Sequence, residues 1–169
     1  MPRADGIGQG ISVVVSTTVE SGEDHNAIVE ALCNLFPDFP IHNLSERNSF
    51  PINRETIELK AEGLSMAHLL DLAAQERVLD TALDSMSMRI GENATKFRLS
   101  RQAALAGKVS FTVLGEVPLG GTIAVTLSGE ELGEWLQEAT WHPGREQVPR
   151  EINDDLSMRG DGHAITWLS

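Results

Sequence analysis

Five short segments of the chain alternate apolar and polar residues in the way that a β-strand does. Because successive side chains of a strand point to opposite faces of its sheet, each segment has one dry face and one wet face. The segments span residues 11–19, 57–62, 96–99, 108–113 and 122–127. This pattern predicts a sheet with one face packed against other elements and the other face open to water or to a partner.

Apolar residues at helical spacing lie between these segments. The first helical stretch follows the first strand and ends at Pro37. The second runs from Ser65 to Gly91 as one long helix or two short ones, and the last begins at the capping box of Ser128 and Glu131. The order β-α-β-α-β-β-β-α predicts a two-layer α+β fold, with one mixed or antiparallel sheet of about five strands and helices on one face.

A chain of 169 residues is long enough for one domain with its own core. We expect a flexible N-terminus over residues 1–10, a single α+β domain over 11–140 and a mobile C-terminal tail over 141–169, where apolar residues are isolated. No apolar run approaches the roughly 20 residues that a membrane span needs, and residues 1–10 lack the apolar core of a signal peptide. The expected location is the cytoplasm, with no membrane contact.

The chemistry-bearing residues show no catalytic or metal-binding pattern. The single cysteine, Cys33, rules out an intramolecular disulfide and a cysteine-based zinc site. None of the five histidines has a second His or Cys at metal-ligand spacing, and no pair of carboxylates or activated Ser stands out. We therefore expect a protein that is not an enzyme and that holds neither a metal nor a cofactor.

The charge distribution is the most informative functional signal. The chain carries 13 Lys and Arg against 25 Asp and Glu, a net charge of −12, which excludes a generally basic nucleic-acid coat. The segment 77–108 nevertheless holds six bases and only three acids. Strand alternation places Lys96, Arg98 and Lys108 on the wet face of the predicted sheet, together with Lys60.

These cations have two interpretations. A positive stripe on an acidic protein is typical of a site for an anion such as RNA phosphate. It is equally a row of solvated residues that Glu58 and Glu62 balance on the same face through cross-strand pairing. The residues alone leave both interpretations open.

Three stretches of the chain resemble a known family. They are Arg77–Ala82, Phe97–Val109 and Val117–Ile123, and they occur in the family's order. The family consists of small conserved archaeal proteins of uncharacterised function that are catalogued under an RNA-binding heading, and the resemblance covers roughly residues 10–139. It implies an α+β fold similar to that of the L-five class of ribosomal proteins, and it favours a role in RNA binding.

The resulting hypothesis is a non-enzymatic protein that binds RNA through the open sheet face and the 100–108 loop. The candidate nucleic-acid-binding residues are Lys60, Lys96, Arg98, Arg101 and Lys108. Four of them would contact phosphates, and Lys60 would assist from the periphery. The alternative is a protein–protein interaction module or a homodimer that uses the same face, again without catalytic activity.

Overall fold

A computed structural model places four strands in one antiparallel sheet. The strands are β1 (Ser12–Val19), β2 (Ile57–Glu62), β3 (Ala94–Ser100) and β4 (Thr122–Ser128). Their order across the sheet is β2-β1-β4-β3, so β1 and β4 are central and β2 and β3 are the outer strands. The structure describes residues 6, 8–20, 22–40, 56–113, 116 and 118–147.

Helices lie between the strands and after them. They are α1 (His25–Leu35), α2 (Ala67–Gln75), α3 (Leu79–Ser87), α4 (Arg101–Leu105), α5 (Leu132–Ala139) and α6 (Gly144–Gln147). The carboxylate of Asp24 caps α1 by accepting hydrogen bonds from the backbone N–H groups of Asn26 and Ala27. No helix among the described residues is long and apolar enough to cross a membrane.

The dry faces of the four strands share one side of the sheet. The register pairs Val15 with both Val125 and Ala61, and it pairs Phe97 with Val125. All four side chains are buried. A sheet that is apolar on one face must bury that face against other elements, and here the helices supply the cover. Their contribution to the core includes Ile28, Leu32, Leu35, Leu69, Leu70, Leu83, Met86, Leu132 and Leu136.

The prediction of an α+β fold with one open sheet is confirmed, but that of five strands is not. The segment 108–113 approaches the outer edge of β3, where it forms an isolated bridge between Phe111 and Leu99 instead of a fifth strand. One backbone hydrogen bond on each side of this bridge joins the two segments. The alternation of this segment is real, since Val109 is buried and Lys108 is exposed, but its pairing with β3 is too short to count as a strand.

The structure adds two details of the helices that the sequence pattern left open or did not show. Of one long helix or two short ones after β2, it has two, α2 and α3, and Arg77 between them has a left-handed φ of 60°. The 100–108 loop contains the short helix α4, which begins where the Ser100 hydroxyl accepts a hydrogen bond from the backbone N–H of Ala103. A helix of five residues is too short for apolar periodicity to reveal, so the observed element order differs from the predicted one at this point.

The described chain is packed beyond the sheet at both ends. Near the N-terminus, the side-chain oxygen of Gln9 accepts a hydrogen bond from the indole Nε1 of Trp135 at 2.8 Å. After α5, Arg145 of α6 is buried. Gln9 and Arg145 therefore belong to the packed domain, whereas residues 1–5 and 148–169, which hold much of the predicted flexible N-terminus and most of the predicted mobile tail, lie outside the described residues.

Trp135 anchors α5 in the core, where it is only 7% exposed. Truncating a buried Trp removes a large apolar contact area and leaves a cavity, so Trp135→Ala should lower the free energy of unfolding by about 3–5 kcal/mol. Urea unfolding followed by far-UV circular dichroism measures this loss. Trp141→Ala is the control, because Trp141 is 45% exposed and its truncation should cost about 1 kcal/mol or less. Equal losses from both variants would contradict the docking of α5 through Trp135.

Candidate nucleic-acid interface

The face of the sheet that the described helices leave uncovered carries a row of side chains that runs across all four strands. The register pairs each member with the next, in the order Lys60, Ser16, Ala124 and Arg98. Neighbouring strands lie about 4.7–4.9 Å apart. The two cations therefore stand at opposite ends of one row, on strands separated by roughly 14 Å of sheet.

A second row lies beside the first. Its members, again in register, are Glu62, Val14, Thr126 and Lys96. Lys96 and Arg98 are two residues apart on β3, so their side chains project from the same face. Both are exposed, and β3 contains no acidic residue. The β3 side of this face is therefore positive.

The β2 side has the opposite character. It exposes Glu58, Lys60 and Glu62, so its one cation stands between two carboxylates. In the sheet, β2 pairs with β1 and is separated from β3 by both central strands. The two glutamates are thus neighbours of Lys60 along the chain and lie across the sheet from Lys96 and Arg98.

Lys108 is the fourth exposed cation of the candidate set. It follows the C-terminal end of α4, where its backbone N–H donates to a carbonyl of that helix. It precedes the segment that bridges to β3 and does not take part in either row. Of the five candidates, the structure brings Lys60, Lys96 and Arg98 together on one sheet face and places Lys108 beyond the end of β3.

Arg101, the fifth candidate, is buried, with 6% of its surface exposed. Its guanidinium donates to the backbone oxygen of Gly120 (2.6 Å), to the hydroxyl of Thr17 (3.1 Å), to the backbone oxygen of Thr18 (2.7 Å) and to the carboxylate of Glu23 (2.6 Å). An arginine has five N–H donors, and four are used here. The structure therefore places Arg101 as an internal clamp between β1, the approach to α1 and the turn before β4.

Gly121 makes room for this clamp. Its φ of 81° lies in the left-handed region, and a Cβ at this position would overlap the guanidinium of Arg101. The sequence predicts the turn at Pro118–Gly121 but does not reveal the buried arginine behind it. The partners of Arg101 on β1 and before α1 are 78 to 84 residues away along the chain, so no local pattern could have indicated them.

Gly121→Ala should destabilise the protein through both of these features. Left-handed backbone costs a non-glycine residue about 1–2 kcal/mol, and displacing a paired buried charge costs roughly 3–5 kcal/mol. We expect a loss of about 3 kcal/mol or more in urea unfolding. Gly107→Ala is the matched control, because its φ is 76° but a Cβ there meets nothing within 4 Å, so only the backbone cost should appear. If the two variants lose the same stability, the clamp does not depend on this close approach.

A second buried arginine holds the C-terminal end of the described chain. Arg145 donates to Oδ1 of Asp80 at 2.8 Å, and Nε2 of His142 lies 3.0 Å from the same oxygen. The guanidinium also donates to the backbone oxygen of Gln137 and to the hydroxyl of Thr140. Burial alone would raise the pKa of Asp80, but the hydrogen bonds and charges of Arg145 and His142 outweigh it and lower the pKa below its usual value. This cluster, absent from the sequence-based candidates, ties α6 to α3.

Asp80→Asn should make stability less dependent on pH in the acid range. A carboxylate whose pKa is lowered by folding contributes stability above its unfolded pKa, near 3.9, and that contribution is lost as the pH falls through the folded value. The variant should therefore unfold at lower urea than wild type at pH 7, and the difference should shrink at about pH 3. Asp71→Asn, an exposed aspartate of α2, is the matched control. If the difference in unfolding urea between wild type and Asp80→Asn stays constant from pH 7 to pH 3, the ionised Asp80 carboxylate does not contribute the stability that we assign to it.

The other chemistry-bearing groups of the described residues are dispersed. Cys33 is half-buried in α1, and burial raises the pKa of its thiol, which disfavours the reactive thiolate. Within the described ranges, no group of three or more His, Cys, Asp or Glu side chains is close enough to hold a metal ion. The exposed cations of the sheet are therefore the feature of the described chain that is most typical of a binding surface.

Comparison with known proteins identifies the family. A family model described as RNA binding matches residues 12–128, from the start of β1 to the end of β4. The chain belongs to this family. The resemblance carried by residues 77–123 is thereby confirmed, and the three cations of the open face lie inside the matched range. His142 and Arg145, the partners of Asp80, lie beyond it.

Relatives of this chain are archaeal UPF0201 proteins, a family of uncharacterised function. One from Sulfurisphaera tokodaii is 34% identical over 135 residues, which cover 76% of this chain and 88% of the relative. One from Methanopyrus kandleri is 30% identical over 138 residues, which cover 76% and 85%. The crystal structure of the UPF0201 protein from Methanococcus jannaschii matches with a TM-score of 0.60 at 25% identity, over 79% of this chain and 96% of that one.

Proposed function

We propose that this protein binds RNA through the open face of its sheet. The observation that carries the proposal is the set of three exposed cations, Lys60, Lys96 and Arg98, on the uncovered face of a chain whose family is described as RNA binding. Exposed Lys and Arg side chains neutralise phosphates and release counterions, which supplies much of the affinity for nucleic acid. Such contacts position the RNA backbone and carry no base-sequence information.

The charge of the whole molecule limits the strength of this binding. A net charge of −12 repels a polyanion, although solvent ions screen exposed charges beyond about 8 Å at physiological ionic strength. RNA at the β3 side meets two cations and no acid of that strand, whereas at the β2 side it meets Glu58 and Glu62. We infer that the phosphate contacts are strongest along β3, with Lys60 as one further contact on β2, and that the dissociation constant is in the range of about 10⁻⁴–10⁻⁶ M that is typical of non-specific binding.

The proposal is of a binding protein in the cytoplasm and not of an enzyme. Its support is the family description and the position of the three cations, which suits contact with a polyanion. Lys108 is kept as a peripheral contact, since it is exposed. Arg101 is left out, because four of its donors are used inside the fold.

Removing the two β3 cations should reduce both the affinity and its dependence on salt. Three phosphate contacts predict a slope of log K against log salt of about −2 for single-stranded RNA and about −2.7 for a duplex. Lys96→Gln with Arg98→Gln should remove about two thirds of that slope. The measurement is the fluorescence anisotropy of labelled single-stranded and duplex RNA, titrated with wild type and the double variant from about 50 to 200 mM salt.

The control variant removes the same number of positive charges at positions outside the sheet. Arg77→Gln with Arg89→Gln removes two exposed cations of the helical layer and should leave most of the slope intact. If both double variants lose the same part of the slope, RNA binding depends on the net charge of the protein, and this face is excluded as the binding site. Absence of binding to either RNA at low salt would refute the proposal. A change in molecular mass by light scattering in the Lys96 and Arg98 variant would favour the homodimer alternative for this face.

A further inference from the structure

The middle of the open face is lined with small, uncharged side chains. β1 supplies Val14 and Ser16, and β4 supplies Ala124 and Thr126, two from each of the rows described above. No long side chain stands between the cations of the two outer strands in these rows. A ligand can therefore approach the backbone of the sheet over a strip two strands wide, which we call the hydroxyl strip after Ser16 and Thr126.

Aromatic side chains are on the other face of the sheet wherever the described strands carry them. Phe97 is buried in the core, and Phe111 pairs with Leu99 and packs on Phe97 with ring centroids 5.8 Å apart. The chain contains no Tyr. Sequence-specific recognition of single-stranded RNA stacks splayed bases on aromatic rings or arginine planes, and the strip itself offers neither. The strip is therefore poorly suited to hold unstacked bases.

Double-stranded RNA presents a different surface. Its minor groove is wide and shallow, it displays the 2′-hydroxyl groups, and phosphates form its rims. The hydroxyls of Ser16 and Thr126 can each donate and accept, which suits pairing with a 2′-hydroxyl. Lys60 and Arg98 stand at opposite ends of the row that contains Ser16, so cations are placed on both sides of the strip.

We propose that the ligand of this face is double-stranded RNA, held through its minor groove, with the hydroxyl strip against the 2′-hydroxyls and the outer-strand cations against the phosphates. This inference rests on the proposed RNA-binding function and specifies its substrate class. It requires the protein to distinguish duplex RNA from two other nucleic acids. Duplex RNA must be preferred over its separate strands because the strip cannot stack bases. It must also be preferred over duplex DNA because DNA lacks the 2′-hydroxyl.

The test compares three labelled probes of one sequence with the full chain at about 50 mM salt: a duplex RNA of about 16 base pairs, one of its single strands, and the corresponding duplex DNA. Wild type should bind the duplex RNA about tenfold more tightly than the duplex DNA, as one or two hydrogen bonds to the 2′-hydroxyls would provide. It should also bind the duplex RNA more tightly than the single strand, because the strip cannot stack unpaired bases and a single strand has a lower density of phosphate charge. Ser16→Ala with Thr126→Val should abolish the preference for RNA over DNA and leave the affinity for DNA unchanged. Thr81→Val with Ser85→Ala, on α3, is the matched control and should keep the preference.

The outcomes separate this inference from the function on which it rests. Single-stranded RNA that binds as tightly as the duplex would overturn the inference and leave RNA binding in place. Equal affinity for duplex RNA and duplex DNA would show that no 2′-hydroxyl is read and would also overturn it. Failure of all three probes to bind would refute the proposed function itself. The comparison of probes on wild type stands even if the strip variant does not fold, which circular dichroism would reveal.

Discussion

The buried guanidinium of Arg101 is the constraint on which the geometry of the open face depends. A full charge remains inside a protein only when it is paired and hydrogen-bonded, since removing one partner of such a pair typically costs 3–5 kcal/mol. Arg101 follows β3 directly, and it binds the end of β1, the carboxylate of Glu23 before α1 and the turn that leads into β4. Its hydrogen bonds therefore fix where β3 ends relative to the two central strands, and with it the place of Lys96 and Arg98.

The part of the interface that the sequence could predict is the part that depends on local periodicity. Alternation along a strand decides which side chains share a face, whatever the neighbouring strand is. Lys60, Lys96 and Arg98 consequently lie on the uncovered face as expected. Strand order depends on contacts between distant segments, so the separation of Lys60 from the other two cations by β1 and β4 was not accessible from the pattern.

The failures of prediction have the same origin. The segment 108–113 has the alternation of a strand, but whether it pairs for one residue or for six depends on how long the chain follows β3 after α4. The role of Arg101 depends on Thr17 and Glu23, each more than 70 residues away, and a charged residue beside a glycine-containing turn gives no local sign of burial. The cluster of Asp80 with Arg145 is likewise a contact over 65 residues.

The two buried arginines also change what a count of charges means for binding. Arg101 belongs to the base-rich segment 77–108, yet its charge is opposed by Glu23 at 2.6 Å. Asp80, an acid of the same segment, is in turn opposed by Arg145 from α6. Two charges of opposite sign in that segment are thus neutralised by residues outside it. The excess of bases in the segment is unchanged, since one base and one acid are neutralised. Attraction for a polyanion nevertheless depends mainly on the two adjacent cations of β3, because charges beyond a Debye length are screened while those in contact are not.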